Sequence, residues 1–476
     1  MKIGVVIDHP KRDLAGLTRT AAELTRRGVS AYLIPLYQQA VDVPLLGLDA
    51  ILLSYARPAN LDLIQAYRRM GIAVFVLDSE GGVLSETGAN APTRSASFVR
   101  DSGARTWLAG YLFWGERQHT AFETAAGMPP DALAVTGCPR FDLCHRGLRS
   151  QLAFPYRDYV LINTSFPLVN PLFSGSSDRE RETLIAAGWD AAYVDLLLAD
   201  LRKIFARFVE EVERLAAADR RVRLLVRPHP FERPVVYEAI ARRHSNVTVD
   251  GHGDVLNAIA NARFVIHVNC GTAIEATMLE RLPVSLTYLV TERVARHSRL
   301  PFEVSHRAAS FEDVRYALHH LEDLTRAHDF AGVYARHIRP WFFELDGRAA
   351  SRVAEFIIER ARPSGPRVPR IWLRRSLRAS RDRSTGLQVV QAVVANLVGS
   401  RASAALRAVA SPARRQKQVS SEHVRGELHR SSQAGDTMTP RVAHARHPIT
   451  RLPLASLRLE PARRAAGEGD PPPGRR

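Results

Sequence analysis

Val222-Arg223-Leu224-Leu225-Val226-Arg227-Pro228-His229-Pro230 and Phe264-Val265-Ile266-His267-Val268-Asn269-Cys270-Gly271-Thr272 share one plan: a short, largely apolar run breaks into a polar cluster. Brief runs rich in Val, Leu and Ile, without strict apolar–polar alternation, fit strands covered on both faces. Such strands make parallel sheets flanked by helices, and ligands bind beyond the carboxyl ends of the strands. The two clusters therefore stand where a ligand would. A guanidinium, an imidazole held between prolines, a small-residue turn and Glu275 together look like a nucleotide site.

Working outward, apolar runs at 3–7, 31–35, 50–53, 72–77 and 133–136 alternate with helix-like segments such as 14–27 and 61–70. A second series starts at 159–162 and continues with a long helix whose Val194, Leu197, Leu201, Ile204, Phe208, Val212 and Leu215 form one stripe. Strands at 222–226, 247–249, 264–268 and 283–286 follow. Residues 131–158, with Pro139 and Pro155, suit a connector. The expected architecture is α/β: two Rossmann-like doubly wound domains, 1–150 and 151–362, facing a cleft. A basic amphipathic segment, 363–430, and a disordered tail, 431–476, complete the chain.

The 476 residues are 46% apolar and carry a net charge of +17, but the charge is uneven. From residue 361 onward there are 23 Lys and Arg against 7 Asp and Glu, leaving 43 against 42 before it. A balanced body with a polycationic tail argues against reading the whole chain as a nucleic-acid binder. Cys138, Cys144 and Cys270 suit neither a disulfide framework nor a zinc site, so a reducing cytosol is expected. Residues 1–7 read as a first strand rather than a signal peptide. No stretch approaches the ~20 apolar residues of a spanning helix, and a soluble body is expected.

The chemistry lies at strand ends. Arg227 and His229 can donate to phosphate oxygens. Asn269 and Gly271 lead into Thr272, which is expected to N-cap a helix whose free N–H groups favour an anion. Glu275 either closes a capping box with Thr272 or turns outward to take the hydroxyls of a ribose. Asp78-Ser79-Glu80-Gly81-Gly82 follows the run 72–77 and is either a solvated turn or the source of a general base. Thr164 and Ser165, after Asn163, add short donors on the same face.

The run 265–276 with Pro283-Val284-Ser285-Leu286 resembles the donor-binding half of glycosyltransferases of the two-domain GT-B type. His229-Pro230 resembles the His-Pro motif of bacterial sialyltransferases and Kdo transferases. Asp78 and Glu80-Gly81, with Ser79 between the acids, resemble their acidic-acidic-Gly motif. Gly137-Cys138-Pro139-Arg140-Phe141-Asp142 is similar to the Gly-x-Pro-Arg-x-Asp element of CDP-glycerol glycerophosphotransferases, although their Asp-Tyr-Ser-Ser element is absent. With Ala56-Arg57-Pro58-Ala59-Asn60 and Asn163-Thr164-Ser165-Phe166-Pro167, residues 1 to about 360 resemble the bacterial surface carbohydrate biosynthesis protein family. The resemblance implies transfer of a sugar from a CMP- or other nucleotide-linked donor to a polysaccharide or lipid-linked glycan. Glu80, with Asp78, would supply the base, and Arg227, His229 and Thr272 would neutralise the leaving phosphate. Arg57 and Arg140 would line the cleft and linker. No Asp-x-Asp pair stands at a strand end, so neither a metal nor a cofactor is expected. A nucleotide-sugar 2-epimerase, a CDP-glycerol-type transferase and a non-enzymatic scaffold remain as alternatives.

In the tail, residues 387–398 place Leu387, Val389, Val390, Val393, Val394, Leu397 and Val398 on a broad apolar face between arginine-rich flanks that reach Lys417. That pattern suits lying on an anionic membrane, at the inner face of the cytoplasmic membrane, near a lipid-linked acceptor. A helix packed back on the body is the other reading. With Trp372 as its single aromatic, the tail lacks a stacking platform for RNA.

Overall fold

Burial on both faces decides the topology. The computed structural model describes residues 1–80, 92–186, 188–361, 400–402, 404–405, 417–432 and 439–461. Its first sheet contains β1 (Lys2–Ile7), β2 (Ser30–Pro35), β3 (Ala50–Leu53), β4 (Ala73–Leu77), β5 (Leu108–Phe113) and β6 (Leu133–Val135), joined by β13 (Arg441–Arg446) and β14 (Pro453–Glu460). The strand order is β13-β14-β2-β1-β3-β4-β5-β6, parallel from β2 to β6. A second sheet holds β7 (Val160–Asn163), β8 (Leu224–Arg227), β9 (Val247–Val249), β10 (Val265–His267), β11 (Pro283–Leu286) and β12 (His306–Ala308). Its order is β12-β11-β10-β7-β8-β9, parallel throughout. The fold is the expected α/β pair of doubly wound, Rossmann-like parallel sheets. Every residue of β3, β7, β8 and β11 is buried, which explains their missing alternation.

β5 escapes a reading of apolar runs because Ala109 and Gly110 interrupt it. Gly110 is required there, since a Cβ would lie 2.6 Å from Phe356 and 2.9 Å from Phe75 ring atoms. Phe356 belongs to the helix Ala349–Arg360, which leaves the second domain and packs on α1 (Pro10–Arg26) of the first. Asp142 in the linker anchors that crossing, accepting the Ala349 and Ala350 N–H groups at 2.8 and 2.9 Å. One apolar cluster consequently runs through both domains, from Leu14 and Phe75 to Leu161, Ile274 and Val353.

Within 431–476, expected to be disordered, the described residues 439–461 are folded. β14 pairs antiparallel with β2, and β13 pairs antiparallel with β14. Leu454, Leu457 and Leu459 are fully buried, and Asp42 accepts the Ser456 N–H and hydroxyl at 2.9 and 2.6 Å. Arg- and Pro-rich flanks hide this eight-residue strand in any compositional reading. The helix Ser421–Ser432 also packs on α1. The apolar segment 387–398 and most of the basic residues around it lie outside the described residues. Among the described residues no helix is long and apolar enough to cross a membrane.

Candidate functional site

A cavity of about 470 Å³ lies between the carboxyl ends of the two sheets. Its first-domain wall is built where β1 and β4 end. Asp8, His9, Lys11 and Arg12 follow β1, and Ser79 and Glu80 follow β4. Its second-domain wall uses Asn163 at the end of β7 with Thr164 and Ser165, Arg227 at the end of β8 with Pro228 to Phe231, and Cys270 to Thr272 with Glu275 after β10. Arg140 rises from the linker between them. Parallel strands that all end on one side gather these distant residues.

The first-domain wall is an alternating line of charges. Arg12 meets Asp8 at 2.7 Å, Asp13 at 2.7 Å and Glu80 at 3.4 Å. Arg57, after β3, meets Glu80 at 3.0 Å and Asp78 at 3.1 Å. Burial raises the Asp78 carboxyl above its usual range, with Arg57 opposing. Burial also pushes Asp8 up, but Lys417 and Arg12 outweigh it and hold that carboxyl low. Asp78 accepts the Glu80 N–H at 2.9 Å, so its role is to shape the turn that presents Glu80.

His9 was not singled out by sequence reasoning. The signal was available: Asp8-His9-Pro10 follows β1 as Arg227-Pro228-His229-Pro230 follows β8. Burial, followed by repulsion from Arg12, lowers its imidazole to about 4. Burial, followed by His9, lowers His229 to about 4 as well. Phe231 lies edge-on to both rings, at 6.2 Å from His9 and 5.6 Å from His229. Two neutral imidazoles thus flank one aromatic ring from opposite domains. Thr164 Oγ1 accepts the His229 N–H at 3.0 Å, and His229 Nδ1 accepts the Phe231 N–H at 3.2 Å, which leaves Nε2 as the reaching atom. The buried Glu232, also unforeseen, ties the loops together through the Phe166 N–H at 2.5 Å and the Tyr237 hydroxyl at 2.8 Å.

Several sequence expectations change in detail. Arg227 lines the cavity, but its terminal nitrogens donate to the His252 and Gly253 carbonyls at 2.7 and 2.5 Å, bracing that loop. The N-cap of Thr272–Met278 is Gly271, not Thr272, with no side-chain cap. Thr272 Oγ1 instead accepts from Asn163 at 2.9 Å. No capping box forms: Glu275 pairs across the domain junction with Arg140 at 2.6 Å. Burial raises Glu275 despite that partner. Gly271 has an ordinary helical φ of −55°, so what it brings is the lack of a side chain rather than a special backbone. Asn269 donates to the Val294 carbonyl at 3.1 Å and does not line the cavity.

Six buried polar atoms of cavity-lining residues have no hydrogen-bond partner among the described residues: His9 Nε2, Ser79 Oγ, Trp114 Nε1, Arg140 Nε, Asn163 Oδ1 and Glu275 Oε2. Buried polar groups are paired in the great majority of proteins, so a cluster of exceptions around one cavity marks a place made for a polar ligand.

No protein-family model and no curated protein matches this sequence. Solved structures similar to it include a UDP-GlcNAc 2-epimerase from Neisseria meningitidis bound to UDP-GlcNAc (12% identity, 75% of this chain and 100% of that chain, TM-score 0.45). Others are the S. aureus MnaA-UDP co-structure (13%, 75% and 96%, 0.47) and the wall teichoic acid polymerase TagF (12%, 76% and 89%, 0.46).

Proposed function

We propose that the cleft transfers a sugar from a nucleotide-activated donor to a hydroxyl of a surface polysaccharide or lipid-linked glycan. The observation that carries this reading is the set of six partnerless buried polar atoms, contributed by both domains and the linker around one cavity. Such a ligand must be polar along its length and must bridge the domains. A nucleoside diphosphate linked to a sugar has that shape and hydrogen-bonding capacity. On the second domain, His229 Nε2, Ser165 and the turn at Gly271 face the phosphates, while Glu275 Oε2 remains to accept from a ribose hydroxyl. Arg227 acts from behind by bracing the loop.

The acceptor proton goes to the first-domain wall. Glu80 is shared by Arg12 and Arg57, so its oxygens are already engaged in ion pairs. His9 lines the same wall and its buried Nε2 has no partner among the described residues, so His9 is taken as the base, with Glu80 and Asp78 orienting the wall. The same acid and base groups on the first domain also suit a nucleotide-sugar 2-epimerase, which needs no acceptor. The segment 387–398 would hold the enzyme against an anionic membrane beside its acceptor.

Incubating the protein with labelled CMP-, CDP-, UDP- and GDP-sugars, with and without a bacterial lipid extract, tests the reading. Label moving to lipid or polysaccharide supports transfer. An altered sugar without acceptor establishes the epimerase instead, and no turnover of any donor in either condition overturns both.

A further inference from the structure

Lys417 stands where the C-terminal segment enters the cleft. Its ammonium lies 2.7 Å from Asp8 and 5.5 Å from the centre of the Tyr37 ring, and it lines the cavity between the sheets. The segment behind it is seated on the first domain in three ways. Val424 and Leu428 of the helix Ser421–Ser432 are buried in the cluster that includes Leu14. β14 extends the sheet past β2, and Ser456 is bound by Asp42. The apolar side chains of this segment are thus buried on the first domain, and its Lys417 stands at the cavity.

We propose that the described residues 417–432 and 439–461 are seated on the first domain as part of the folded body, and that Lys417, which they bring to the cleft wall, is a positioning residue for His9 and the wall around it. Lys417 ends the charge line that continues through Asp8, Arg12, Glu80, Arg57 and Asp78, each link 3.4 Å or shorter. Without it, one oxygen of the little-exposed Asp8 loses its partner, and an uncompensated carboxylate is left beside His9. The groups facing His9 are Asp8, Arg12 and Asp13 from its own stretch, Lys417 from the C-terminal segment, and His229 with Phe231 from the second domain. The seating rests on geometry alone, whereas the positioning role rests on the transfer reading above.

The test is a titration of the full-length, ligand-free protein, with imidazoles labelled for NMR and His9 assigned by His9→Gln. Lys417→Met is expected to move the His9 midpoint upward by about one pH unit, because a repelling cation is lost and Asp8 is released. Lys417→Arg is expected to keep it in place. An unchanged midpoint in Lys417→Met, or an equal shift in both variants, overturns the positioning of His9 by Lys417. Because the titration contains no nucleotide, its failure is distinguishable from failure of the transfer reading.

Discussion

His9 and His229 act as neutral donors or acceptors because burial makes protonation costly, and this has a measurable consequence. Each titrates near 4 in the folded chain against about 6.5 when unfolded. The unfolded state therefore binds more protons between those values, and the stability they contribute, present above pH 6.5, is lost as pH falls towards 4. Asp142 opposes this: burial lifts it to about 6, so its contribution is greatest at low pH and is lost as pH rises to 6. The melting temperature of the His9→Gln/His229→Gln double variant should fall less than that of wild type between pH 6.5 and 4; an equal fall contradicts the assignment. For turnover, His9→Gln should cost about 10²–10⁴-fold with donor affinity retained. Glu80→Gln should cost less, and the reverse order would return the base to Glu80. Much of this site was legible in the sequence. His229, Thr164, Glu275 and Glu80 announce themselves by following apolar runs. His9 follows one too, but it sits among Asp8, Lys11, Arg12 and Asp13, where it reads as part of a solvated charged turn. The Arg140–Glu275 pair spans 135 positions, and no local pattern encodes it.

At the scale of elements, the linker is the piece on which the cleft depends. Its 3-10 turn Pro139–Cys144 lies so close to α1 that a Cβ on Gly16 would stand 2.4 Å from the Arg140 nitrogen and 2.7 Å from the Pro139 carbonyl carbon. Both neighbours are backbone and cannot rotate away. Gly16→Ala should therefore destabilise the chain by about 1–3 kcal/mol and displace Arg140 from Glu275. Denaturant unfolding checks the first effect, and weakened nucleotide binding the second. A fully stable, tightly binding variant would show that the linker has room to move. Elements with dense β-branched or leucine-rich runs were readable from sequence. β5 was obscured by a glycine that packing demands, and β12, His306–Ala308, by its polar composition. β14 was obscured because its partner, β2, lies more than 400 residues away.

At the scale of the whole molecule, the described C-terminal residues 417–432 and 439–461 are part of the folded body rather than a detachable tail. A chain ending at residue 362 loses β14 and exposes the β2 edge, together with the surfaces that cover Leu454, Leu457 and Leu459. At roughly 1.5–3 kcal/mol for each buried leucine, the loss is a large part of a typical net stability of about 5–15 kcal/mol. Such a truncation should melt at clearly lower temperature or aggregate through the open edge. A truncation as stable as the full chain would contradict the packing described. Both sheets and the two-domain plan could be read from alternating runs, whereas the return of the C-terminus could not, since it depends on surfaces that exist only after folding. The central claim is that the cleft binds a nucleotide-activated donor through both walls. Isothermal titration of the full-length protein with CMP-, CDP-, UDP- and GDP-sugars tests it most directly. The account predicts saturable binding of at least one of them, weakened tenfold or more in His229→Ala, as loss of a charge-assisted hydrogen bond of about 1.5–3 kcal/mol requires. Binding of none of the four, or equal binding by wild type and His229→Ala, would contradict it.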